Sequence, residues 1–451
     1  MKVLLINPNR SPGHSGGYYK ESFAQMPPIT LACLAAVLEK AGVEVDFYDD
    51  VLGRGDRGEL EAAIRGSGPD VVGLSVVTAV MPGVPRVVKT VREVDPNIKV
   101  VCGNIHADFF HESFLREGLA DVVVHGEGED TFVDLVRTLG GRDPDLSNVK
   151  GISFLRDGAL VTTESRPFIE DLDSLPYPAW HLFPMDRYRI FSFARVKDPG
   201  ILILGSRGCP FRCSYCSLKI MGASRRHRSV ENIAGECEFM YDRFGYVQPS
   251  FVDPIFPFGK KEALDYAGEL IRRGLHKKQV WITETRTDLV DLESLQALRE
   301  SGLRRVMFGI ETGDGEELAS LRKGSALDKT LKAVAACRKA GVDVVGFFML
   351  GVPGATRESM QKSIDFAKEL DLDFAKYTVF VPYPGTPLYD ELISQGRIRE
   401  PEDWDRYSSY PTKDRPPIYV PDGLTADDII GFQRKAHLSF YLRPRMVYRQ
   451  L

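Results

Sequence analysis

The stretch Gly205-Ser-Arg-Gly-Cys-Pro-Phe-Arg-Cys-Ser-Tyr-Cys-Ser217 decides how the rest of the chain is interpreted. It places three cysteines, Cys209, Cys213 and Cys216, within eight residues. A short apolar run at 201–204 precedes it and predicts a strand. The thiols are therefore expected on a loop at the carboxyl end of a strand, where α/β folds place their chemistry.

Three clustered thiolates indicate a metal site, because thiolates are soft ligands that suit zinc or iron–sulfur clusters. A structural zinc site needs four ligands in a closed tetrahedron, and His227 is the candidate fourth ligand for that alternative. A cubane held by only three cysteines leaves one iron without a protein ligand, and that iron can bind a substrate. The strands predicted downstream of the cysteines favour the cluster over zinc.

The cysteine spacing, with three residues and then two between the thiols, resembles the signature of the radical SAM enzymes. The resemblance implies a 4Fe-4S cluster on Cys209, Cys213 and Cys216, whose open iron chelates S-adenosylmethionine. In that family an electron from the reduced cluster cleaves the sulfonium and releases a 5′-deoxyadenosyl radical. Tyr215 matches the aromatic position that the family places beside the adenine. The resemblance also implies an electron donor, a reducing protein such as flavodoxin or ferredoxin.

The composition of the whole chain bounds its class. A length of 451 residues predicts two or three domains. Apolar residues make up 43% and charged residues 27%, as in ordinary globular proteins. The net charge of −5 gives no support for nucleic acid as a partner. Seven cysteines without a secretory signal, and no apolar run near the roughly 20 residues that span a bilayer, predict a cytoplasmic chain without an integral membrane segment.

Strands and helices alternate in the amino-terminal part of the chain. The predicted strands lie at 2–7, 43–48, 71–77, 100–102 and 122–124, and the predicted helices at 29–41, 58–65, 84–94 and 131–139. The continuous apolar run at 71–77 is typical of a parallel strand that is covered on both faces. The alternation predicts a doubly wound α/β domain, in which ligands bind at the carboxyl ends of the strands.

The loops at those strand ends hold the candidate ligand-binding residues. They read Ser75-Val-Val-Thr78, Gly103-Asn-Ile-His106 and His125-Gly-Glu-Gly-Glu129. Glycines there let the backbone approach a ligand closely. The candidate cofactor-binding residues are Ser75, Thr78, Gly103, Asn104, Gly126, Glu127, Gly128 and Glu129.

This region resembles the cobalamin-binding domain of one branch of the radical SAM family, which also carries a strand ending in Gly-Glu-Gly-Glu. The resemblance implies a flavodoxin-like strand order with strand 1 central, and cobalamin as a cofactor. The Asp-x-His-x-x-Gly loop that many cobalamin proteins place below cobalt does not occur in the sequence. His106 and His125 are candidate axial ligands by position only. A domain that has lost its cofactor is the alternative.

The alternation of strands and helices resumes from residue 201 and gives six units. The predicted strands lie at 201–204, 246–253, 280–285, 305–310, 342–350 and 374–381, and the predicted helices at 229–241, 260–272, 291–300, 328–340 and 358–370. Six such units suit the partial (β/α)6 barrel that the resemblance implies. Between the two regions, 151–163 predicts a hairpin and the proline-rich 169–184 predicts an extended connector.

Polar residues follow several strands of the second region. The resemblance implies that Asp253 contacts the methionine amino group and that Glu311, in Phe-Gly-Ile-Glu-Thr-Gly313, binds ribose hydroxyls or that amino group. Arg286 follows strand 3 and is expected to face the carboxylate as a fork. The branch often has paired aspartates where this chain has Asp253 alone. Each group taken singly is more often a salt-bridged loop residue, but together they favour a binding site.

The predicted architecture is α/β throughout. It comprises a doubly wound, flavodoxin-like cobalamin-binding domain at 1–145, a linker at 146–196, a partial (β/α)6 radical SAM barrel at 197–387 and a short helical carboxyl-terminal region at 388–451. In that last region, Thr425-Ala-Asp-Asp428 predicts a capping box that opens a helix reaching about Tyr441. Cys33 and Cys102 are predicted to be buried thiols and not ligands.

The resemblance predicts a radical SAM enzyme, a cobalamin-dependent methyltransferase that acts on an unactivated carbon of a small molecule. Radical oxidation, ring formation or another rearrangement, with cobalamin redox-active or absent, is the alternative. No catalytic residue is assigned, because no Ser-His-Asp or Cys-His arrangement is apparent, and radical chemistry needs no strong general base. A non-catalytic zinc-binding protein is the alternative from another class.

Overall fold

A computed structural model describes residues 1–10, 26–191, 193–399 and 404–450. It divides into two compact units. The first comprises Met1–Ile190 and Pro401–Asp405, and the second comprises Phe191–Glu400 and Arg406–Leu451. The domain boundaries predicted at 145, 196 and 387 stay predictions.

The first unit is built on a seven-stranded sheet in the described part of the chain. Its strands are β1 (Lys2–Asn7), β2 (Glu44–Asp49), β3 (Val71–Ser75), β4 (Lys99–Gly103), β5 (Val122–Val124), β6 (Ile152–Arg156) and β7 (Ala159–Thr162). Its helices are α1 (Ile29–Lys40), α2 (Arg57–Ser67), α3 (Val84–Val94), α4 (Ile105–Phe109), α5 (His111–Arg116) and α6 (Gly128–Leu139).

The strand order β2-β1-β3-β4-β5 is flavodoxin-like and confirms the predicted doubly wound fold. These five strands are mutually parallel. Strand β1 lies between β2 and β3, so the expectation that strand 1 is central was wrong. The middle of the parallel strands is β3, whose burial on both faces matches its continuous apolar sequence.

Alternate residues of β1 face two different layers, because side chains of a strand alternate with period two. Leu4 and Ile6 join the core formed with Leu60 and Ile64 of α2. Leu5 faces the other layer, which includes α6: a Cβ added at Gly73 would lie 2.8 Å from the Leu5 side chain and 3.1 Å from Phe132 of α6. Helices on both faces therefore cover the parallel sheet.

The predicted hairpin is confirmed and extends this sheet. Strands β6 and β7 pair antiparallel around Asp157 and Gly158, both of which have positive φ, and β6 pairs antiparallel with β5. The segment predicted as a connector packs on the first unit: Trp180 is buried, and the ring of Phe183 stacks on Phe47 at 3.9 Å between centroids. Much of the predicted linker thus contributes to the core of this unit.

The second unit holds a six-stranded parallel sheet and a two-stranded ribbon in the described part of the chain. Its strands are β8 (Gly200–Ile203), β9 (Ser206–Arg207), β10 (Arg226–His227), β11 (Gln248–Phe251), β12 (Trp281–Thr285), β13 (Leu303–Glu311), β14 (Asp343–Leu350) and β15 (Phe374–Val379). Its helices are α7 (Val230–Phe244), α8 (Lys260–Arg272), α9 (Leu292–Glu300), α10 (Gly315–Ser320), α11 (Leu327–Ala340), α12 (Arg357–Glu369), α13 (Pro387–Ser394), α14 (Ala426–Tyr441) and α15 (Pro444–Gln450).

The main sheet of the second unit follows chain order from β8 at one edge to β15 at the other. Every pair in it is parallel. Successive parallel strands joined by helices are the arrangement of the predicted partial (β/α)6 barrel. The antiparallel ribbon of β9 and β10 stands apart from this sheet and encloses the cysteine stretch.

The helix predicted in the carboxyl-terminal region is also confirmed. The Asp428 N–H donates to Thr425 Oγ1 at 3.2 Å, and the Thr425 N–H donates to Asp428 Oδ2 at 2.9 Å, which completes the predicted capping box of α14. Cys102 is buried as predicted, but Cys33 is only half-buried, because it lies at the edge of the buried stripe of α1. Among the described helices, none is long and apolar enough to cross a membrane.

Candidate cofactor sites

The cysteine loop leaves the barrel through a narrow backbone turn. The ribbon pairs Arg226 with Arg207 at its base. Directly after it, Gly208 has a φ of +77°, and a Cβ there would lie 2.2 Å from the carbonyl oxygen of Ser224. Only glycine fits this position, since a side chain would clash with backbone. The turn is closed by the Cys209 N–H, which donates to the Gly222 carbonyl at 3.3 Å.

A buried residue between the second and third cysteines anchors the loop on both sides. The Ser214 N–H donates to the Leu321 carbonyl at 3.0 Å, and the Ser214 carbonyl accepts from the Leu388 N–H at 2.9 Å. Leu388 lies in the first turn of α13, immediately after the Pro-Tyr-Pro-Gly-Thr-Pro387 segment. Two distant segments thus hold the loop that carries Cys213 and Cys216.

The three thiols are half-buried, and all seven cysteines are thiols and not disulfides. Burial raises the pKa of the Cys209 thiol, and the neighbouring Cys213 adds to this effect. A bound metal reverses that effect, because its positive charge stabilises the thiolate. Three such thiols on one loop are the donor set that a 4Fe-4S cluster requires.

Among the described residues, no three Cys, His, Asp or Glu side chains gather around a position for one metal ion. A cubane does not require this, because each thiolate binds a different iron. The zinc alternative does require it. Its proposed fourth ligand, His227, is exposed, with Nδ1 3.2 Å from the Arg228 carbonyl oxygen.

The structure brings two of the predicted site residues together. The Tyr215 hydroxyl donates to Glu311 Oε1 at 2.9 Å. The same oxygen forms an ion pair with Lys323, whose ammonium also donates to the Gly309 carbonyl at 2.6 Å. Burial, reinforced by the Glu311 carboxylate, raises the pKa of Tyr215. Glu311 is 8% exposed and Lys323 6%, so this network is desolvated.

The Phe-Gly-Ile-Glu-Thr-Gly motif has a geometric explanation in this network. The register between β13 and β14 shifts between Gly309 and Glu311, and Glu311 has a φ of +72°, which is uncommon for a residue with a side chain. A Cβ at Gly309 would lie 2.7 Å from Lys323 Nζ. The glycine therefore leaves room for the ion pair, and the irregular strand end turns the carboxylate toward Tyr215.

Asp253 lies where it was predicted, at the end of β11, but its carboxylate is already used within the protein. Oδ2 accepts from the Gly205 N–H at 2.9 Å, and Oδ1 accepts from the Ser206 hydroxyl at 2.5 Å. Burial raises the pKa of Asp253 to about 6. The residue thus holds the chain as it enters the ribbon below the cysteine loop. Its contact with the methionine amino group stays a prediction.

The guanidinium fork of Arg286 is likewise engaged. Nε and Nη2 donate to the two carboxylate oxygens of Asp288 at 2.9 and 3.0 Å, and Nη2 also donates to the Lys323 carbonyl at 2.9 Å. The guanidinium lies over the ring of Phe211 at 3.6 Å from the centroid. Arg286 therefore braces the cysteine loop and the Lys323 segment together, and its contact with the carboxylate of S-adenosylmethionine stays a prediction.

Sequence reasoning missed Lys323, Asp288 and Phe211. Phe211 lies inside the cysteine stretch, and Asp288 is two residues after Arg286, so both were close to residues that the sequence did indicate. Lys323 had no such signal, because it lies 12 residues beyond Glu311 in an irregular segment after α10.

In the first unit, the predicted residues gather at one edge of the sheet. Ser75 and Gly103 end the neighbouring strands β3 and β4, which are in register at these two residues. The Asn104 side-chain amide donates to Ser75 Oγ at 3.0 Å and accepts from the Ile105 N–H at 2.7 Å. Thr78 Oγ1 lies 3.1 Å from His106 Nδ1. Hydrogen bonds between side chains therefore fix the loop after β3 and the loop after β4 relative to each other.

The glycines at this edge leave space above the sheet. A Cβ at Gly103 would have its nearest neighbour at 3.6 Å, in Val124, which is an ordinary contact. A Cβ at Gly126 would meet no atom of the described residues within 4 Å, although a φ of +64° favours glycine there. Among the described residues, none fills the space next to these two glycines, so the backbone at this edge is open to the approach of a ligand. That the ligand is cobalamin stays a prediction at this position.

The acidic part of the third loop differs from the prediction. Helix α6 begins at Gly128, so Gly128 and Glu129 lie in its first turn and not in a loop. Glu127 Oε2 accepts from the Ile169 N–H at 2.8 Å, and Glu129 is buried. These carboxylates suit the amino-terminal turn of a helix. Their contact with a cofactor stays a prediction.

Neither candidate axial histidine has the surroundings of an open ligand. His106 is buried, and burial lowers its pKa to about 4. Its ring packs against Phe110 and Trp404. His125 Nδ1 lies 2.5 Å from Asp108 Oδ1, and its Nε2 lies 2.7 Å from Ser153 Oγ, so both ring nitrogens are engaged.

Comparison with known proteins finds one matching domain family in each of the two units. Residues 20–136 match the B12 binding domain, and residues 203–367 match the radical SAM superfamily. An uncharacterized methyltransferase of Pyrococcus horikoshii is 31% identical over 100% of this chain and 95% of its own length. The chain belongs to the family of radical SAM enzymes that carry a B12-binding domain. Its cofactors are a 4Fe-4S cluster, S-adenosylmethionine and cobalamin, as predicted.

Two further comparisons bear on fold and reaction. The radical S-adenosylmethionine methyltransferase TsrM from Kitasatospora setae superimposes with a TM-score of 0.75 at 18% identity, over 99% of this chain and 92% of that chain. That likeness shows the fold. An anaerobic magnesium-protoporphyrin IX monomethyl ester cyclase of Cereibacter sphaeroides is 29% identical over 99% of this chain and 71% of its own length.

Proposed function

We propose that the enzyme is a cobalamin-dependent methyltransferase that acts on an unactivated carbon of a small molecule. The observation that carries this proposal is the likeness along the whole chain to a relative named as a methyltransferase. When bound, the cluster and S-adenosylmethionine supply the radical that removes a hydrogen atom from the substrate, and cobalamin supplies the methyl group. The residues of the chain supply placement, which is the protein's main contribution to cofactor chemistry.

The placement of S-adenosylmethionine is assigned to the network beside the cysteine loop. Tyr215, held by Glu311, presents its ring next to the last cysteine, where it suits the adenine. The Lys323 ion pair keeps the Glu311 carboxylate in one position before the cofactor arrives. Asp253 and Arg286 act one step further out, because they hold the loop itself. Such prior positioning reduces the ordering cost of binding.

We also propose that a reducing protein such as flavodoxin or ferredoxin donates electrons to the enzyme, because the cluster needs a one-electron donor. The proposal also includes a reducing compartment such as the cytoplasm, which the seven thiols support.

Radical oxidation or ring formation is the second candidate, and it is favoured by the 29% identity to the cyclase. The two reactions differ in their by-products. Methyl transfer consumes two molecules of S-adenosylmethionine: the methyl donor becomes S-adenosylhomocysteine, and the radical source becomes 5′-deoxyadenosine and methionine. Oxidation or ring formation yields 5′-deoxyadenosine and methionine without S-adenosylhomocysteine.

The test begins with anaerobic purification in the presence of cobalamin, followed by iron, sulfide and corrin quantitation on one sample. The loaded enzyme is then incubated with reductant, S-adenosylmethionine labelled in its methyl group, and a small-molecule extract. We expect S-adenosylhomocysteine and 5′-deoxyadenosine in equal amounts and a labelled methyl group in a new compound. Formation of 5′-deoxyadenosine without S-adenosylhomocysteine would instead support oxidation or ring formation. An incubation without extract controls for uncoupled cleavage.

A further inference from the structure

The last strand of the barrel places a lysine on the sheet face opposite its helices. Tyr377 of β15 contacts His437 and Phe440 of α14, so it faces the helical layer. Side chains of a strand alternate, so Lys376 faces the other way. It is in register with Phe347 of β14, which shares that inner face.

The ammonium of Lys376 is surrounded by aromatic rings. Its Nζ lies 5.4 Å from the ring centroids of Phe191 and Phe193 and 5.8 Å from that of Phe347. Burial lowers the pKa of Lys376. In the described part of the chain, the ammonium has neither a hydrogen-bond acceptor nor an ion-pair partner. Aromatic faces stabilise its charge, but its three N–H donors remain for a ligand.

A carboxylate lies on the same inner face, two strands beyond β14. Trp281 of β12 packs against Tyr266 of α8, so alternation places Glu284 on the face away from the helices. Burial, reinforced by Glu311, raises the pKa of Glu284 to about 7. Glu284 and Lys376 influence each other's titration, yet these two described residues form no direct ion pair. The two oppositely charged side chains therefore lie on one face of the sheet and attract each other without direct contact.

We propose that Lys376 and its three phenylalanine rings form a subsite on the inner face of the barrel that binds an anionic oxygen group, a carboxylate or a phosphate, of the substrate. This rests on the proposed function, because it names the class of small molecule that the enzyme takes. A half-buried ammonium whose N–H donors are open forms charge-assisted hydrogen bonds to an anionic oxygen, and these are stronger than its hydrogen bonds to water. The rings offer an apolar surface to the carbon next to that group.

Glu284 determines the orientation in which a substrate binds at the subsite. When it is ionised, its carboxylate attracts the Lys376 ammonium and repels any anionic group of the ligand that comes near it. A substrate with one anionic end therefore places that end at Lys376 and keeps the rest of the molecule away from it. Lys376 is thus a positioning residue, and in the described part of the chain it shares no hydrogen bond with Tyr215, Glu311 or Lys323.

The test measures binding to the loaded enzyme by isothermal titration calorimetry, with octanoate, octyl phosphate and octanol as probes. Wild type and Lys376→Arg are expected to bind one of the two anionic probes, and the preferred one identifies the group. Lys376→Met and Lys376→Gln should weaken that binding by at least about tenfold, because they remove a charged hydrogen-bond partner. Octanol has the same chain without the anionic group. Its affinity for wild type should therefore be no higher than the affinity of the anionic probe for Lys376→Met. Lys332→Met, at an exposed lysine, is the matched control and should leave binding unchanged.

Glu284→Gln should strengthen binding of the anionic probe several-fold, because it removes the competing charge. Binding of the anion by Lys376→Met as tight as by wild type would overturn the subsite, and so would absence of binding of both anionic probes to wild type. Iron content and cluster absorption establish that each variant is loaded. Because binding is measured without turnover, a failed methyl-transfer assay leaves this result intact, and the two proposals fail separately.

Discussion

The two candidate cofactor sites are built from different kinds of contact. The barrel edge is the candidate S-adenosylmethionine site of the second unit, and the α/β edge is the candidate cobalamin site of the first unit. At the barrel edge, the half-buried Tyr215 donates a hydrogen bond to the buried ion pair of Glu311 and Lys323. At the edge of the α/β unit, the corresponding contacts join a hydroxyl to an amide, as between Ser75 and Asn104, and glycines leave space above the sheet. One edge relies on paired charges and the other on the shape of the backbone.

Under the proposed function, this difference matches what each edge has to do. S-adenosylmethionine is charged and small, so side chains that hold it need fixed positions, and desolvated ion pairs provide them. Cobalamin is large, so its edge mainly has to leave room and offer polar atoms along it. The barrel edge should therefore be sensitive to loss of a charge, and the α/β edge to loss of space.

The largest effect is expected at the thiols. Cys213→Ala removes one of the three proposed cluster ligands and should abolish both iron loading and reductive cleavage of S-adenosylmethionine. Iron quantitation and 5′-deoxyadenosine formation measure the two effects. Cys33→Ala, at a half-buried cysteine of the other unit, should retain both. Cleavage activity in the Cys213 variant would refute the cluster assignment.

A smaller but still large effect is expected from Lys323→Met. It leaves the buried Glu311 carboxylate without its counter-charge, which typically costs about 3–5 kcal/mol of unfolding free energy. The loss of unfolding free energy is measured by denaturant unfolding, from the midpoint of the transition in which the second unit unfolds. The double variant with Glu311→Gln should recover part of the loss, and the exposed Lys332→Met should leave the midpoint unchanged. An unchanged midpoint in Lys323→Met would show that the ion pair does not hold this edge together.

The α/β edge should respond to filled space with little loss of stability. Gly103→Val places carbon atoms where the protein has only ordinary contacts, so corrin content should fall several-fold while the unfolding free energy changes by no more than about 1 kcal/mol. Gly66→Val, in the exposed face of α2, should keep its corrin. Full corrin loading of the Gly103 variant would place cobalamin elsewhere.

The smallest effect is expected at His125. Both of its ring nitrogens are engaged within the protein, so His125→Gln should leave corrin content and the electron paramagnetic resonance spectrum of reduced cobalamin unchanged. The wild-type spectrum should show no splitting from a histidine nitrogen. Such a splitting, lost in the variant, would instead identify His125 as the axial ligand.

Much of the fold was predictable because its signals are local. The apolar run at 71–77 predicted a parallel strand covered on both faces, and the capping box at Thr425 predicted the start of α14. The partners of charged side chains were not predictable. Arg286 follows its strand as expected, but nothing in the order of residues shows that Asp288 occupies its fork. The placement of strand 1 next to the edge strand was also missed, because hydrophobic pattern does not encode strand order.

The sequence by itself determined the candidate donor set of the cluster, because Cys209, Cys213 and Cys216 lie within eight residues of one loop. It also determined the alternation of strands and helices, which follows from the period of apolar residues. Only the tertiary structure decided that Lys323 neutralises Glu311 and that Lys376 faces the inner side of the barrel among aromatic rings. Those contacts depend on segments far apart in the chain, and their strength depends on burial, which no local stretch of sequence contains.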